Sequence, residues 1–327
     1  MADVFTTTAS NASALIANAL DLKVRYYLLQ TPQFRQHVDV RPINQDHDGS
    51  TVTVKIHGEL AANTTPLSEA VDVDAQDIPA LRAVSVTMNE YGATNLSTIR
   101  AATFDWSNEL ARTISFQLAD NIATTMDVLV RTVFDGASNV WWNDNGVGYI
   151  NTAMPADGVL DNLDVAGISS AVAALRSRRT IPRDGVFYTS IMHPHVAHDV
   201  RRAAGPNTWA SPHEYQNAGP IWAGETGSYG GARIIEHNRA TVAVNQGSGN
   251  KTHYSTYFLG REAMLEALAI EPHAVIGPQT DKLRRFFPVG WHGILGWSRF
   301  RENAIQLIKT QSSLGTLVPL GSYDPKA

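Results

Sequence analysis

Strands and helices that alternate irregularly, without a repeating strand–helix–strand unit, predict an α+β fold for this chain of 327 residues. Three observations carry that expectation. Two segments alternate apolar and polar residues with period two, a long stretch without Pro or Gly has helical periodicity, and the second half interleaves buried strands with short helices.

In chain order, residues 1–45 begin with a Thr/Ser/Asn/Ala segment and a short apolar turn, Leu15 to Leu22. They read as an arm lying on another surface. Thr51-Val-Thr-Val-Lys-Ile56 and Ala83-Val-Ser-Val-Thr-Met88 each read as a strand with one buried face. The 24 residues between them, Glu59 to Arg82, hold five acids and one base and no continuous apolar face. A loop of that length inside a compact domain usually reaches for something outside it.

Phe104 to Phe134 reads as one helix, with Leu110, Ile114, Leu118, Ile122, Met126, Leu129 and Val133 forming its apolar stripe. Such a helix is roughly 46 Å long at the standard rise. Asp135-Gly136 stops it, and Trp141 to Gly146 reads as a turn-rich connection. Asp164 is a good N-cap for a helix with the stripe Val165, Ile168, Val172 and Leu175, ending in Arg176, Arg178 and Arg179 before Pro182. Gly185 to Met192 then reads as a buried strand, Pro194 to Arg202 as a short helix, and Ala232–Glu236 and Tyr254–Leu259 as strands. Arg285 to Ile308 is aromatic-rich with strand character, and Thr310 to Ala327 reads as a tail.

The composition is 43% hydrophobic and 17% charged, with net charge −5, which suits a folded domain and argues against a basic nucleic-acid-binding face. Without cysteine, disulfides and thiolate metal sites are excluded. Met1-Ala-Asp-Val-Phe-Thr-Thr-Thr lacks a basic and apolar leader, and no run approaches the ~18 apolar residues that span a bilayer. Synthesis in the cytoplasm and no membrane partner are the expectations.

No segment carries a strong chemical motif. Gly224 to Gly231 is glycine-rich, but the spacing is wrong for a dinucleotide loop and a strand, not a helix, follows it. Gly249-Asn-Lys-Thr252 lacks the glycines of a phosphate loop. His193, His195 and His198 cluster without a supporting carboxylate or cysteine, so a polar strand–helix corner is favoured over a metal site. Neither a catalytic residue, a cofactor nor a metal is expected.

Several stretches, in order, resemble the major capsid proteins of tailed double-stranded DNA phages. They are Thr65-Pro-Leu-Ser-Glu-Ala-Val71, Met88-Asn-Glu-Tyr-Gly-Ala-Thr94, Leu163-Asp-Val with the helix to Arg179, Ile191-Met-His-Pro-His-Val196, Gly224-Glu-Thr-Gly with Gly-Ala-Arg-Ile-Ile235, and Phe258-Leu-Gly-Arg-Glu-Ala263. The resemblance implies the Hong Kong 97-like capsid fold. On that mapping residues 1–45 are the N-terminal arm, 46–92 the E-loop hairpin, and 93–154 the peripheral domain with spine helix 104–134. Residues 155–275 are then the axial domain, and 276–327 return to the peripheral domain and end in a tail.

It further implies self-assembly into hexamers and pentamers of an icosahedral virion shell enclosing double-stranded DNA without sequence-specific binding. Portal and scaffolding proteins are implied as partners, with a decoration protein as an additional one. The E-loop residues expected at the subunit interface are Glu59, Pro66, Leu67, Glu69, Val71, Asp72, Asp74 and Asp77. Leu110, Ile114, Leu118, Ile122, Met126 and Leu129 are expected as the spine-helix core. Lys55, the one E-loop lysine, lies on the first strand away from the tip, so covalent cross-linking is not expected. The alternatives are an encapsulin-type bacterial compartment and, more distantly, a hydrolase with an unrecognised site.

Overall fold

The computed structural model describes residues 33–42, 49–64, 66–67, 69, 72, 76–98, 110–144, 148–151, 153–203, 225–278, 283 and 285–314. The fold is α+β, as expected. The strands are β1 (Asp39–Pro42), β2 (Thr51–Ile56), β3 (Arg82–Thr87), β4 (Asn89–Thr98), β5 (Val140–Asp144), β6 (Gly148–Asn151) and β7 (Tyr188–Met192). They continue with β8 (Glu225–Tyr229), β9 (Ala232–Glu236), β10 (Val242–Gln246), β11 (Lys251–Leu259), β12 (Met264–Ile276), β13 (Phe286–Arg299) and β14 (Ile305–Thr310). The α-helices among the described residues are α1 (Leu110–Asp135), α2 (Val165–Ser177) and α3 (Pro194–Ala203).

Contacts divide the chain into two compact units. The smaller includes Glu90–Met126 and Glu271–Gly293; the larger is Gln33–Asn89, Asp127–Ile270 and Ile294–Ala327. In the smaller unit, β4 and the facing parts of β12 and β13 form a sheet. Trp291 is buried there, and its Nε1–H donates to Asn121 Oδ1 of α1 at 2.8 Å.

The larger unit is built on an eight-stranded sheet in the order β6-β5-β14-β11-β7-β9-β8, with β10 pairing β11. Its centre is apolar because β7 is buried at every position, as a strand covered on both faces must be. One core packs Ile168, Ala171, Val172 and Leu175 of α2 and Val196, Ala197 and Val200 of α3 on Tyr188, Met192, Ile234, Tyr254 and Phe258. The other core, containing Ile191, Tyr257, Leu259, Ile305 and Leu307, receives Val130 and Phe134 from the C-terminal end of α1. Helix α2 starts where the cap was read: the Asp164 carboxylate accepts from the Gly167 N–H at 2.7 Å. It ends through Arg179, whose φ of +55° turns the chain so that the Thr180 N–H bonds back to Leu175 O.

Several expectations change. Positions 104–109 of the expected spine helix lie outside the described residues, as does the Leu110 side chain; the described helix runs from Leu110 to Asp135. Its core face is also turned. Leu118 and Met126 are buried and Ile114 and Ile122 half-buried, but the next fully buried positions are Val130 and Phe134; Leu129 and Val133 are only half-buried. Residues 126, 130 and 134 follow a straight spacing of four along one helix ridge, which the stripe through 129 and 133 leaves.

Residues 34–42 of the expected arm do not lie outside the subunit. Phe34 is fully buried against Phe134 and Tyr257, and β1 pairs in parallel with β12, Asp39 opposite Leu265. Trp141–Asp144, read as a turn, lies in β5, because Val140, Trp141 and Trp142 pair in parallel with Leu307, Ile308 and Lys309. The Gly-rich segment is a hairpin from Glu225 onward: β8 and β9 meet at Gly230 and Gly231, both at positive φ, where only glycine is unstrained.

Candidate assembly interface

The hairpin follows its alternating sequence. Strands β2 and β3 pair antiparallel, Val52 opposite Val86 and Val54 opposite Val84. Val52, Val54, Ile56, Val84, Val86 and Met88 face a small core with Leu265, Ala267 and Phe300. Thr53 and Ser85 share a hydrogen bond of 3.0 Å on the outer face. The hairpin root is thus anchored by apolar burial, with Val86 wholly enclosed.

Beyond Ile56 no helix or strand forms among the described residues before Arg82. Glu59, Pro66, Leu67, Glu69, Asp72 and Asp77 are all exposed there. Val71 and Asp74 lie outside the described residues. The structure does not gather the described side chains into one site; they lie along a loop in which Gln76 Nε2 donates to Ala61 O at 3.0 Å. Glu59 pairs with Arg179 at 2.9 Å, with both side chains more than four-fifths exposed. Such a pair contributes at most about 1 kcal/mol in water. Leu60, Leu67, Ile78 and Leu81 are 55%, 70%, 83% and 47% exposed, an apolar content that an isolated soluble subunit gains nothing by displaying.

A groove of about 520 Å³ runs beside the root of this hairpin, lined by Arg82, Ala83, Val84 and Ser85 of β3, Val133 of α1, and Trp297, Ser298, Arg299 and Glu302. It opens because β3, separated from β4 by Met88 alone, leaves the side of β13. The backbones still approach closely at Gly296, where an added Cβ would collide with Thr87 O. Further along they part, and β3 pairs with β2 only. Arg299 is fixed by Glu302 at 2.9 Å and by Val133 O at 3.1 Å. Glu302 also accepts from the Ser138 N–H and hydroxyl, and these bonds with Arg299 hold its carboxyl below the usual range despite burial. Arg82 has no ion pair among the described residues. Local sequence did not mark this groove, because it is made by a divergence of two strands more than 200 residues apart.

A second polar site fastens the start of the described chain. Asp127, almost fully buried on α1, accepts from the Phe34 N–H at 2.7 Å. Burial raises its carboxyl pKa, and the two backbone donors of Phe34 and Arg35 oppose the shift. Arg35 reaches fully buried Glu266 with Nε at 3.1 Å and an Nη atom at 2.7 Å, and Trp297 Nε1–H adds a third donor at 2.9 Å. Three donors on one enclosed carboxylate are what such a buried charge requires.

The histidines at the strand–helix corner pack against each other and Tyr254 instead of converging on an ion. His193 and His195 rings meet edge to face at 4.6 Å, and His195 Nδ1 lies 2.9 Å from the Tyr254 hydroxyl. His193 Nδ1 accepts from the His195 N–H, while burial, followed by the charges of His195 and His237, lowers the His193 pKa to about 4. His198 points to Asp199. Among the described residues no group of three or more His, Asp or Glu side chains is placed to hold a metal ion, and no helix is long and apolar enough to cross a membrane.

A two-unit α+β subunit with an anchored hairpin and an exposed acidic loop defines a protein built to meet other subunits. The family model described as "Phage capsid protein" matches residues 5–314, and the chain belongs to that family. It is a phage major capsid protein, a structural subunit of an icosahedral shell. No curated protein sequence matches it. The structure is similar to the capsid of Ralstonia phage GP4, with a TM-score of 0.73, 14% identity, and coverage of 89% of this chain and 94% of that one. It is also similar to the capsid of cyanophage Pam1, at TM-score 0.61, 14% identity, and 95% and 99% coverage. A third similar structure is the capsid of a native GTA particle, at TM-score 0.62, 13% identity, and 94% and 99% coverage. These likenesses establish the Hong Kong 97-like fold. Neither the bacterial-compartment reading nor the hydrolase reading receives support from any of them.

Proposed function

We propose that this subunit forms the hexamers and pentamers of the shell by laying residues 57–81 on a neighbouring copy, and that the shell encloses double-stranded DNA held without sequence readout. The observation that carries the reading is the contrast within one hairpin: Val86 at its root is wholly buried, while Leu67 and Ile78 in its loop are 70% and 83% exposed. The root therefore belongs to the subunit's own fold and the loop to a contact made elsewhere. Val71 and Asp74 are included in that contact as members of the same loop. The acidic loop and the net charge of −5 favour enclosure of DNA over a tight coat on its phosphates. On this reading the chain acts by self-association and performs no catalytic chemistry. Assembly proceeds in the host cytoplasm with scaffolding and portal proteins, and a decoration protein binds outside. The expected arm, E-loop, peripheral and axial regions are the frame for these contacts.

The test is deletion of residues 61–80. The deleted subunit keeps the hairpin-root core and stays folded by circular dichroism, but forms no closed particles under the electron microscope. Particles of normal size from the deletion would refute the proposed role of the loop.

A further inference from the structure

We propose that residues 33–42 form an acid-opened latch on the larger unit, with His37 as its trigger. Protonation of that ring beside Arg183 and Arg233 releases the segment while the rest of the unit stays folded. The segment carries the 3-10 turn Phe34–His37 and β1, and chain order makes it the link between residues 1–32 and the larger unit. It is fastened lightly. Of its described side chains only Phe34 and Val38 are buried, and β1 has a single strand neighbour, β12. The polar ties are Asp127 under the Phe34 N–H, Glu266 under Arg35, and Arg183, which donates to Gln36 O at 3.3 Å and lies 3.6 Å from Asp39. A segment that buries so little apolar surface opens at a lower free energy than the central sheet. Opening adds residues 33–42 to the tether of residues 1–32.

His37 is placed to sense acid. Its Nε2 is enclosed and has no hydrogen-bond partner among the described residues. The groups acting on it are Arg183 from the turn after α2, Arg233 of β9, and His237 just beyond β9, whose ring meets Phe34 edge to face at 5.6 Å. The acids that accompany these arginines are already paired with them, Asp39 with Arg183 and Asp184 with Arg233. A proton on His37 therefore adds a third cation to two fixed ones. Burial, then the charges of Arg183, Arg233 and His237, lower the ring's pKa to about 3 while the segment is closed. Once the segment lifts into water the ring returns to 6.5, so acid favours the open form from pH 6.5 down to about 3. Asp127, near Arg131 and Arg239, pulls the other way, because burial raises its carboxyl pKa and acid favours its closed form. The His37 contribution is accordingly read as a difference between wild type and a His37 variant.

The test is native-state hydrogen exchange by mass spectrometry on unassembled full-chain subunits between pH 7 and 5, corrected for intrinsic exchange. Peptides covering residues 33–42 and residues 188–192 of β7 are compared. The expected result is an opening constant for 33–42 that exceeds that of β7 at every pH. Its His37-dependent part rises about 16-fold between pH 6.5 and 5. His37→Gln, neutral throughout, loses that rise. His37→Lys, charged throughout, opens the segment at pH 7 while β7 stays protected.

Equal opening constants for the two peptides mean that the segment leaves only when the whole unit unfolds, and they overturn the latch. That comparison needs no variant. A His37→Gln segment that keeps the wild-type dependence on pH overturns it as well, because the trigger then lies elsewhere.

Discussion

Replacing Phe134 by alanine tests how α1 is held. Its side chain is fully buried, with ring centroids 6.4 Å from Phe34 and 6.3 Å from Tyr257. A buried aromatic ring covers ~200 Å², which at ~25 cal/mol per Å² gives about 5 kcal/mol as an upper value. Measured Phe→Ala changes in cores cost ~3–5 kcal/mol, because the cavity left behind closes only partly. Phe116, on the same helix but 49% exposed, supplies the control with the same chemistry, and Phe116→Ala costs less than ~1 kcal/mol. The assay is urea unfolding of unassembled subunits followed by circular dichroism. A midpoint for Phe134→Ala equal to that of Phe116→Ala refutes the packing argument. A Phe134→Ala subunit that keeps its stability and fails only in assembly shows that this face of α1 is an interface and not a core.

The other predictions concern a second core position and the buried titratable groups. Leu118→Ala, removing a buried side chain from the N-terminal part of α1, costs ~2–5 kcal/mol, whereas Asp120→Ala on the exposed face is tolerated; the same urea assay decides. Arg35→Met strands the buried Glu266 carboxylate and costs ~3–5 kcal/mol, while adding Glu266→Met recovers much of the loss; a neutral single variant contradicts the clamp. His193 titrates near pH 4 when folded and at 6.5 when unfolded, so below pH 6.5 the unfolded state binds the extra proton and stability falls with pH until about 4. That slope is up to ~1.4 kcal/mol per pH unit. His193→Gln reduces the slope between pH 6.5 and 5, leaving the part contributed by His37, His195 and His253, which burial also lowers, and an unchanged slope in that variant removes His193 as a source. Asp127 and Asp135 run the other way, since burial raises both and acid eases their cost.

What was legible in the sequence is what local periodicity encodes. The period-two runs at Thr51–Ile56 and around Val84 gave the two hairpin strands but not their register, and Asp164 with Arg176 to Arg179 gave both ends of α2. What escaped was set by distant partners. Trp141 to Asp144 is polar enough to read as a turn, yet β14 recruits it as a strand and buries Asn143, whose Nδ2 donates to Asn162 O. Strand β12 passes from buried to exposed positions along 13 residues and carries Glu266 in its buried half, so no single pattern marks it. The polar strand β4, Asn89–Thr98 with Gly92 inside it, was equally silent. The site divided the same way. The acidic loop was visible in composition, whereas Arg82, Arg299 and Glu302 become neighbours only after folding, and no residue spacing announces them.

The central claim is that this chain is a shell subunit whose hairpin loop completes itself on a neighbouring copy. Cryo-electron microscopy of the purified, assembled protein measures that most directly. The account predicts closed icosahedral particles in which the density of residues 57–81 lies on an adjacent subunit. Subunits that remain monomeric under assembly conditions, or closed particles in which every loop folds back on its own subunit, would contradict it.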